Sequence, residues 1–200
     1  MDTVLVTGGY GGLGSNVCVE LAERGHRVVS HGRSGDPPTS VADAPADVRS
    51  RIERRTCDLR NREEIQRIVA DVDGVVHSGA LMPSSSKELR PSFEVNGGGT
   101  LSLLEAAHED GLDRFVYVGS GSVYPNRPPD GVPYVEDEVS QPTLDRAYSI
   151  TKYVGEMFCE FYRRNYGLDA TTVRVSRLWG EPTIRRGERA YPMDRVISEL

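Results

Sequence analysis

The feature that most constrains this chain is a turn of closely spaced glycines between a strand-like segment and a helix-like segment. Residues 3–7 are rich in β-branched and apolar side chains and predict a buried strand. Gly8, Gly11 and Gly14 follow at the spacing G-x-x-G-x-x-G, and an amphipathic helix is predicted directly after them. Glycine permits a sharp turn that brings backbone N–H groups close to a ligand, and a helix N-terminus favours negative charge. This junction is therefore predicted to bind the diphosphate of a dinucleotide.

Strand-like and helix-like segments continue to alternate along the chain. The predicted strands are residues 3–7, 27–31, 51–56, 74–77, 114–119 and 170–175. The predicted helices are residues 12–24, 62–70, 99–110 and 146–166. This alternation predicts an α/β fold, a Rossmann-type doubly wound parallel sheet covered on both faces. Residues 34–47 are interpreted as an exposed loop, and residues 125–141 as an irregular segment where a substrate lid or wall could lie.

Bulk properties narrow the function classes. The 200-residue chain is long enough for one domain with a sizeable core, and its formal net charge is −6. Its basic residues are scattered among acidic ones, so neither a nucleic acid nor a membrane surface is predicted as a partner. No apolar run approaches the roughly 20 residues that span a bilayer, and no signal-peptide pattern leads the chain, so we expect a cytoplasmic protein. Three distant cysteines predict neither a disulfide framework nor a metal site.

Six further motifs follow the glycine turn. They are Asp58-Leu59, His77 to Ala80, Asn96 with Gly99-Thr100, Ser120 to Tyr124, Tyr148 to Lys152, and Arg174 to Gly180. In type and order they resemble the motifs of the extended short-chain dehydrogenase/reductase family, also called the NAD-dependent epimerase/dehydratase family. The resemblance runs from Thr3 to about Pro182. It implies an NAD(P)-binding Rossmann domain at residues 1–182, with residues 183–200 beginning a substrate-binding part of which most is absent.

The resemblance also implies a catalytic group. Tyr148 and Lys152 are four residues apart on a predicted helix, so both side chains share one face. The family's tyrosine is the acid/base at a substrate hydroxyl or carbonyl, its lysine lowers the tyrosine pKa and holds the nicotinamide ribose, and its serine, here Ser120, hydrogen-bonds the reacting oxygen. Lowering a tyrosine pKa from ~10 to about 7 requires roughly 4 kcal/mol of preferential stabilisation of the phenolate. The apolar residues predicted to pack this helix against the sheet are Ile150, Val154, Met157, Phe158 and Phe161.

A longer set of residues is expected to hold the cofactor. It comprises Gly8, Gly11, Gly12, Leu13, Gly14, Arg33, Asp58, Leu59, Ser78, Gly79, Ala80, Asn96, Tyr148, Lys152 and Val175. Asn96 either holds backbone or water near the active site or caps a helix. Gly32 stands where relatives that use NAD often place an acidic residue, and Arg33 could pair with a 2′-phosphate. NADP is therefore favoured over NAD, the alternative being that Arg33 covers the adenine or faces solvent and that NAD binds.

The motifs also limit which reactions of the family this chain is expected to catalyse. Dehydratases of the family carry Asp-Glu where this chain has Gly121-Ser122, which argues against a 4,6-dehydratase. Epimerisation, or oxidation and reduction of a carbinol, remains, with a sugar or nucleotide sugar as the expected substrate. Arg177 replaces the asparagine of the family's R-x-x-N-x-x-G segment, which argues against a nucleotide sugar, although an arginine suits an acidic sugar or a phosphate. The alternatives are an NADP-dependent carbonyl reductase of a non-sugar substrate and a catalytically silent NAD(P)-binding protein. Family members commonly dimerise through the helices that include the Tyr/Lys helix, so a homodimer is expected.

Overall fold

The described strands form one parallel sheet. The computed structural model describes residues 2–33, 39–82, 85–124, 133–136 and 141–176. Its strands are β1 (Thr3–Thr7), β2 (Arg27–Gly32), β3 (Ile52–Thr56), β4 (Gly74–His77), β5 (Arg114–Ser120) and β6 (Ala170–Val175). Their order across the sheet is β3-β2-β1-β4-β5-β6, with every pair parallel. The order reverses direction between β1 and β4, where a doubly wound sheet opens a crevice for a ligand. The Rossmann-type fold expected from the sequence is confirmed.

Helices cover both faces of this sheet. They are α1 (Gly12–Glu23), α2 (Thr39–Ala42), α3 (Ala46–Arg49), α4 (Arg62–Val69), α5 (Leu89–Ser92), α6 (Gly99–Glu109) and α7 (Ala147–Tyr166). A π-helix (Phe93–Gly98) joins α5 to α6, and a 3₁₀ turn (Gly121–Val123) follows β5. One face buries an apolar cluster that includes Leu5, Ile65, Leu104 and Phe115, beneath α4, α6 and α7. The other buries a cluster that includes Val4, Val28 and Cys18, beneath α1 and the two short helices.

The prediction of an exposed loop at residues 34–47 is wrong for its described part. This segment contains α2 and the start of α3. Val41 of α2 and Ala44 in the bend after it are buried, and Ala44 belongs with Val48 of α3 to the core cluster beside α1. The polar composition of the segment concealed these short helices.

The packing face of α7 also differs from the prediction. Met157 and Phe161 are 51% and 52% exposed, so they do not pack against the sheet. The buried residues of α7 are Ala147, Ser149, Thr151, Lys152, Gly155, Glu156, Cys159 and Tyr162. Because a Cβ at position 155 would collide with the Tyr117 hydroxyl, glycine allows the helix to lie directly on β5. The prediction is therefore wrong for Met157 and Phe161, whereas Phe158 packs against the core cluster as predicted, beside the buried Cys159 and Tyr162.

Two predictions concern residues outside the described part of the chain. The proposed substrate wall at 125–141 is described only at 133–136 and 141, and the boundary between 182 and 183 is not described. No helix among the described residues has the length and apolarity needed to cross a membrane.

Candidate active site

The glycine turn after β1 forms a tight backbone cradle. Gly8 has a φ of 69°, in the region that favours glycine, and the Gly11 N–H donates to its carbonyl at 2.8 Å. A Cβ on Gly14 would lie 2.7 Å from the Gly8 carbonyl carbon and 2.9 Å from Ser78 Oγ. Glycine at position 14 therefore lets the N-terminus of α1 approach the end of β1 closely. This cradle fits a dinucleotide diphosphate, which needs backbone N–H groups and a helix N-terminus free of side chains.

The segment after β4 lies directly beside this cradle. Ser78 Oγ donates to the Thr7 carbonyl at 2.6 Å, and the Gly79 N–H donates to Thr7 Oγ1 at 3.0 Å. A Cβ on Gly8 would lie 2.8 Å from the Gly79 backbone, so the two segments touch. The structure thus brings together the glycine turn and the predicted cofactor wall formed by Ser78, Gly79 and Ala80.

Asn96 lies within the π-helix and connects three parts of the site. Its Oδ1 accepts from the Leu81 N–H at 2.6 Å, and its Nδ2 donates to the Leu81 carbonyl and to Thr151 Oγ1, both at 3.1 Å. The interpretation of Asn96 as a helix cap is wrong, because its side chain bonds the loop after β4 and the helix α7. The structure supports the other interpretation, in which Asn96 holds backbone near the site.

The predicted catalytic residues meet where β5 ends. Ser120 is the last residue of β5, and its side chain lies close enough to Tyr148 to favour the ionised form of that phenol. Lys152 Nζ donates to the Val118 carbonyl at 2.7 Å and lies 6.0 Å from the centre of the Tyr148 ring. It also lies 4.8 Å over the Tyr117 ring, where the π face stabilises a cation. Ser120, Tyr148 and Lys152 are therefore neighbours at the carboxyl edge of the sheet.

The pKa values of the two ionisable residues are shifted by burial. Burial raises the pKa of Tyr148, and the nearby Ser120 side chain acts in the opposite direction. Burial lowers the pKa of Lys152 to about 8, against the opposing effects of Cys159 and Glu156. Burial outweighs the effect of Ser120, so the pKa of Tyr148 is raised overall, and a lowered value stays a prediction for the site when it holds a cationic nicotinamide.

An ion pair behind Lys152 was not found by reasoning from the sequence. Glu156 lies one helical turn after Lys152 and is only 8% exposed. Its carboxylate accepts hydrogen bonds from Arg174 Nη2 at 3.0 Å and from Arg174 Nε at 3.1 Å. Arg174 Nη1 donates to the Tyr124 hydroxyl at 2.9 Å, and the Tyr124 ring stacks on Tyr134. The i, i+4 spacing of Lys152 and Glu156 was a signal that both lie on one face. This cluster ties α7 to β6 and to the segment at residues 133–136.

The end of β2 shows a second feature that the sequence did not reveal. The Tyr10 ring packs against Gly32, so any Cβ at position 32 would collide with it. The guanidinium of Arg54 lies 4.4 Å over the same ring. The predicted adenine contact Asp58 is held by Arg60 at 2.6 Å, and that pairing chiefly lowers its pKa to about 2. Arg33 is exposed beside this group and also favours the ionised form of Asp58.

The remaining predicted cofactor residues lie along the same edge. Gly12 and Leu13 open α1, Leu59 is buried after β3, and Val175 ends β6. A parallel sheet with a glycine cradle at its switch point defines a Rossmann-type dinucleotide-binding fold. Residues 4–200 match the sequence model of the NAD dependent epimerase/dehydratase family, and the chain belongs to that family. The family expected from the motifs is thereby confirmed.

Individual relatives have several activities. The chain is 32% identical over 189 residues to a 3-beta-hydroxysteroid dehydrogenase of Mycolicibacterium neoaurum, covering 90% of this chain and 48% of the relative. A short-chain dehydrogenase/reductase superfamily protein of Agrobacterium tumefaciens, solved with NAD, matches at 29% identity with a TM-score of 0.73, covering 86% of this chain and 48% of that one. A UDP-glucose 4-epimerase of Thermotoga maritima, solved with UDP-glucose, matches at 26% identity with a TM-score of 0.77, covering 94% and 60%. The chain thus spans about half the length of the curated relatives it matches.

Proposed function

We propose that the chain supplies the cofactor-binding and catalytic part of an NAD(P)-dependent epimerase or dehydrogenase, which moves a hydride and a proton at a carbinol or ketone carbon. The observation that carries this proposal is the convergence of the glycine cradle and the Ser120–Tyr148 pair on one edge of the sheet. The proposed substrate is a sugar or nucleotide sugar, in keeping with the epimerases among the relatives.

The proposed chemistry assigns one task to each catalytic side chain. Ser120 orients the substrate oxygen, and Tyr148 donates a proton to it or removes one from it. Because burial raises the pKa of Tyr148, its phenol is protonated in the protein alone and suits the direction that reduces a ketone. Lys152 supplies a positive charge beside the nicotinamide ribose when protonated, and its pKa of about 8 allows it to exchange a proton near neutrality. The bound nicotinamide would accept or return the hydride.

We further propose that the cofactor is NADP. An acidic residue at position 32, which would bind the ribose hydroxyls of NAD, is incompatible with the Tyr10 ring that packs there. Arg33 is exposed directly after β2, and Arg54 of β3 lies over the Tyr10 ring that covers Gly32. Two guanidinium groups at this edge match the charge and geometry of a 2′-phosphate. The related Agrobacterium protein was solved with NAD, so a preference for NADP would distinguish this chain from that protein.

Fluorescence titration of the purified chain with NADPH and NADH tests the cofactor proposal without a substrate. We expect tighter binding of NADPH, and a loss of that preference of about tenfold or more in Arg54→Ala and Arg33→Ala. Arg24→Ala serves as the matched control, because Arg24 is an exposed arginine paired with Glu20 at the C-terminal end of α1, the end away from the glycine cradle. Equal affinity for the two dinucleotides would refute the NADP proposal, and failure to bind either would refute the function as a whole.

The catalytic proposal is tested with Tyr148→Phe. This change removes only the hydroxyl, so we expect turnover to fall by at least about a hundredfold while NADPH affinity is retained. Product analysis after incubation with UDP-glucose or UDP-glucuronate detects epimerisation, and absorbance of reduced cofactor detects oxidation. Turnover that survives in Tyr148→Phe would remove Tyr148 from the mechanism.

A second candidate substrate class is an apolar carbinol such as a hydroxysteroid. The observation that favours it is the 32% identity to a 3-beta-hydroxysteroid dehydrogenase, which exceeds the 28% identity to the putative UDP-glucose 4-epimerase of Methanocaldococcus jannaschii. A 3β-hydroxysteroid in the same assay distinguishes the two classes, because its oxidation reduces the cofactor in stoichiometric amounts whereas epimerisation leaves it unchanged.

We also propose a homodimer formed through the outer face of α7. Met157, Phe161 and Tyr166 are each at least half exposed on this helix. The Phe161 and Tyr166 rings lie 5.8 Å apart, and His108 of α6 lies 4.6 Å from Tyr166. Aromatic groups exposed together on neighbouring helices are typical of a protein interface.

A further inference from the structure

A line of buried hydrogen bonds runs beneath the site, from the glycine turn to the catalytic helix. Thr7 Oγ1 lies 2.6 Å from His77 Nδ1, and His77 Nε2 lies 2.8 Å from Thr100 Oγ1. Thr100 donates to the Asn96 carbonyl, and the Asn96 amide donates to Thr151 Oγ1 at 3.1 Å. These five side chains are at most 2% exposed. They form a buried polar chain that passes under the cofactor crevice.

Both ends of this chain reach groups that the proposed function uses. At one end, the Gly79 N–H donates to Thr7 Oγ1 at 3.0 Å, beside the glycine cradle. At the other end, Thr151 Oγ1 donates to the backbone carbonyl of Tyr148 at 3.0 Å. In the middle, the Tyr117 hydroxyl donates to the Lys152 carbonyl at 3.3 Å.

The direction of each hydrogen bond determines the proton on His77. The Thr100 hydroxyl has one hydrogen, which goes to the Asn96 carbonyl, so Thr100 accepts from His77 and Nε2 carries a hydrogen. Full burial and the charge of Lys152 lower the pKa of His77 well below its ordinary value, so the ring is neutral and Nδ1 is an acceptor. Thr7 therefore donates to Nδ1 and accepts from Gly79. With these directions, every donor in this line of buried hydrogen bonds meets one acceptor.

We infer that His77 is a positioning residue, held as the neutral Nε2–H tautomer. In this role it fixes the distance between the glycine cradle and the helix turn that carries Tyr148. The reaction proposed above requires this distance to be constant, because the cradle binds the cofactor at one end and Tyr148 acts at the other. This inference rests on the proposed function for its consequence, but the tautomer itself does not. His77 touches neither cofactor nor substrate in this role.

The tautomer is measured directly on the unmodified chain. Long-range ¹H–¹⁵N spectra of the imidazoles distinguish protonated from unprotonated ring nitrogens, and the chain has only 4 histidines. The His77 signals are assigned by their loss in His77→Asn. We expect one histidine with a protonated Nε2 and an unprotonated Nδ1, unchanged between about pH 5 and 8. A protonated Nδ1, or a ring that titrates in this range, would overturn the inference.

Removing the hydrogen bond on either side of His77 tests its positioning role. Thr7→Val and Thr100→Val remove one hydroxyl each while conserving shape, and Thr7→Ser and Thr100→Ser retain it. Ser92→Ala is the matched control, because Ser92 is fully buried near Asn96 but bonds only the Glu88 carbonyl of its own helix. The two readouts are the affinity for NADPH and the titration of the Tyr148 phenol in the complex, taken as the difference spectrum against Tyr148→Phe.

We expect each valine variant to weaken NADPH binding by about tenfold, as substitutions of supporting residues commonly do, and to shift the Tyr148 titration. We expect the serine variants to restore both properties, and Ser92→Ala to lower only the melting temperature. Valine variants that merely lose stability, with affinity and titration unchanged, would overturn the inference. An unmodified chain that binds no dinucleotide would refute the proposed function, and the histidine spectra would still decide the tautomer.

Discussion

Lys152 provides the sharpest test of the energetics of the site, because burying it destabilises the fold. Lys152 lies on the buried side of α7 and is only 3% exposed. This burial lowers its pKa from 10.5 to about 8. Between these two values the unfolded chain binds a proton that the folded chain does not. The free energy of unfolding contributed by Lys152 therefore rises as the pH increases from about 8 towards 10.5, and the cost is largest near neutral pH.

The size of this effect follows from the same shift. Each pKa unit corresponds to about 1.4 kcal/mol, so lowering the pKa from 10.5 to about 8 corresponds to about 3 kcal/mol of destabilisation at neutral pH. The hydrogen bond from Lys152 to the Val118 carbonyl offsets part of this cost in the charged state. Lys152→Met removes both the charge and the hydrogen bond, and only the first of these depends on pH.

The assay is urea unfolding of both chains, followed by circular dichroism, at pH values from about 7 to 10.5. We expect the stability of the native chain minus that of Lys152→Met to rise by about 3 kcal/mol over this range. The difference cancels the contributions of Cys18 and Cys57, which do not interact with Lys152, and the double replacement with Cys159→Ala removes that of Cys159, which does. Lys87, the other lysine of the sequence, is exposed, and Lys87→Met should show no such slope. A difference that varies by less than about 1 kcal/mol would refute the reasoning.

Three further predictions concern other parts of the molecule. Gly14→Ala places a Cβ against the Gly8 carbonyl oxygen and 2.7 Å from its carbonyl carbon, so it should lower the free energy of unfolding by about 1–3 kcal/mol and weaken NADPH binding. Gly98→Ala, whose Cβ would lie 3.8 Å from its nearest neighbour, should do neither, and urea unfolding and fluorescence titration measure both properties. Glu156→Gln should lower the free energy of unfolding by about 2 kcal/mol, because it leaves Arg174 without its carboxylate. In a double-mutant cycle, adding Arg174→Met to that variant should recover part of the lost free energy. Phe161→Glu should convert the proposed dimer to a monomer in light scattering, whereas Glu160→Gln on the same helix should not.

The fold was predictable because each element carries a local signal. The six strands and four long helices predicted from periodicity agree with the structure to within about two residues at their ends. The strand at residues 3–7, the glycine spacing and the helix after it form one local pattern, so they also located the diphosphate cradle. Ser120, Tyr148 and Lys152 were found through the order of motifs along the chain, and the structure brings them together.

What the sequence did not reveal depends on contacts between distant residues. Tyr10 covers Gly32, and Arg54 covers Tyr10, yet these residues come from a turn and two different strands. No periodicity relates them, and the missing acid at position 32 indicated only that something else lies there. The hydrogen-bond partners of His77 likewise come from β1 and α6, so only the packed sheet places them together.

The error on α7 shows where function overrides the usual rules of packing. Large apolar residues of a helix normally indicate its core face, but here Met157 and Phe161 are exposed, and the buried side of α7 includes Ser149, Thr151, Lys152 and Glu156. Each buried group needs a partner, and Lys152 and Thr151 find theirs in backbone carbonyls, while Glu156 finds its partner in Arg174. A fold optimised for stability alone would place leucines at these positions. The buried polar side chains fit the role proposed for α7 at the carboxyl edge of the sheet, and the exposed Met157 and Phe161 belong to the face through which we propose a homodimer.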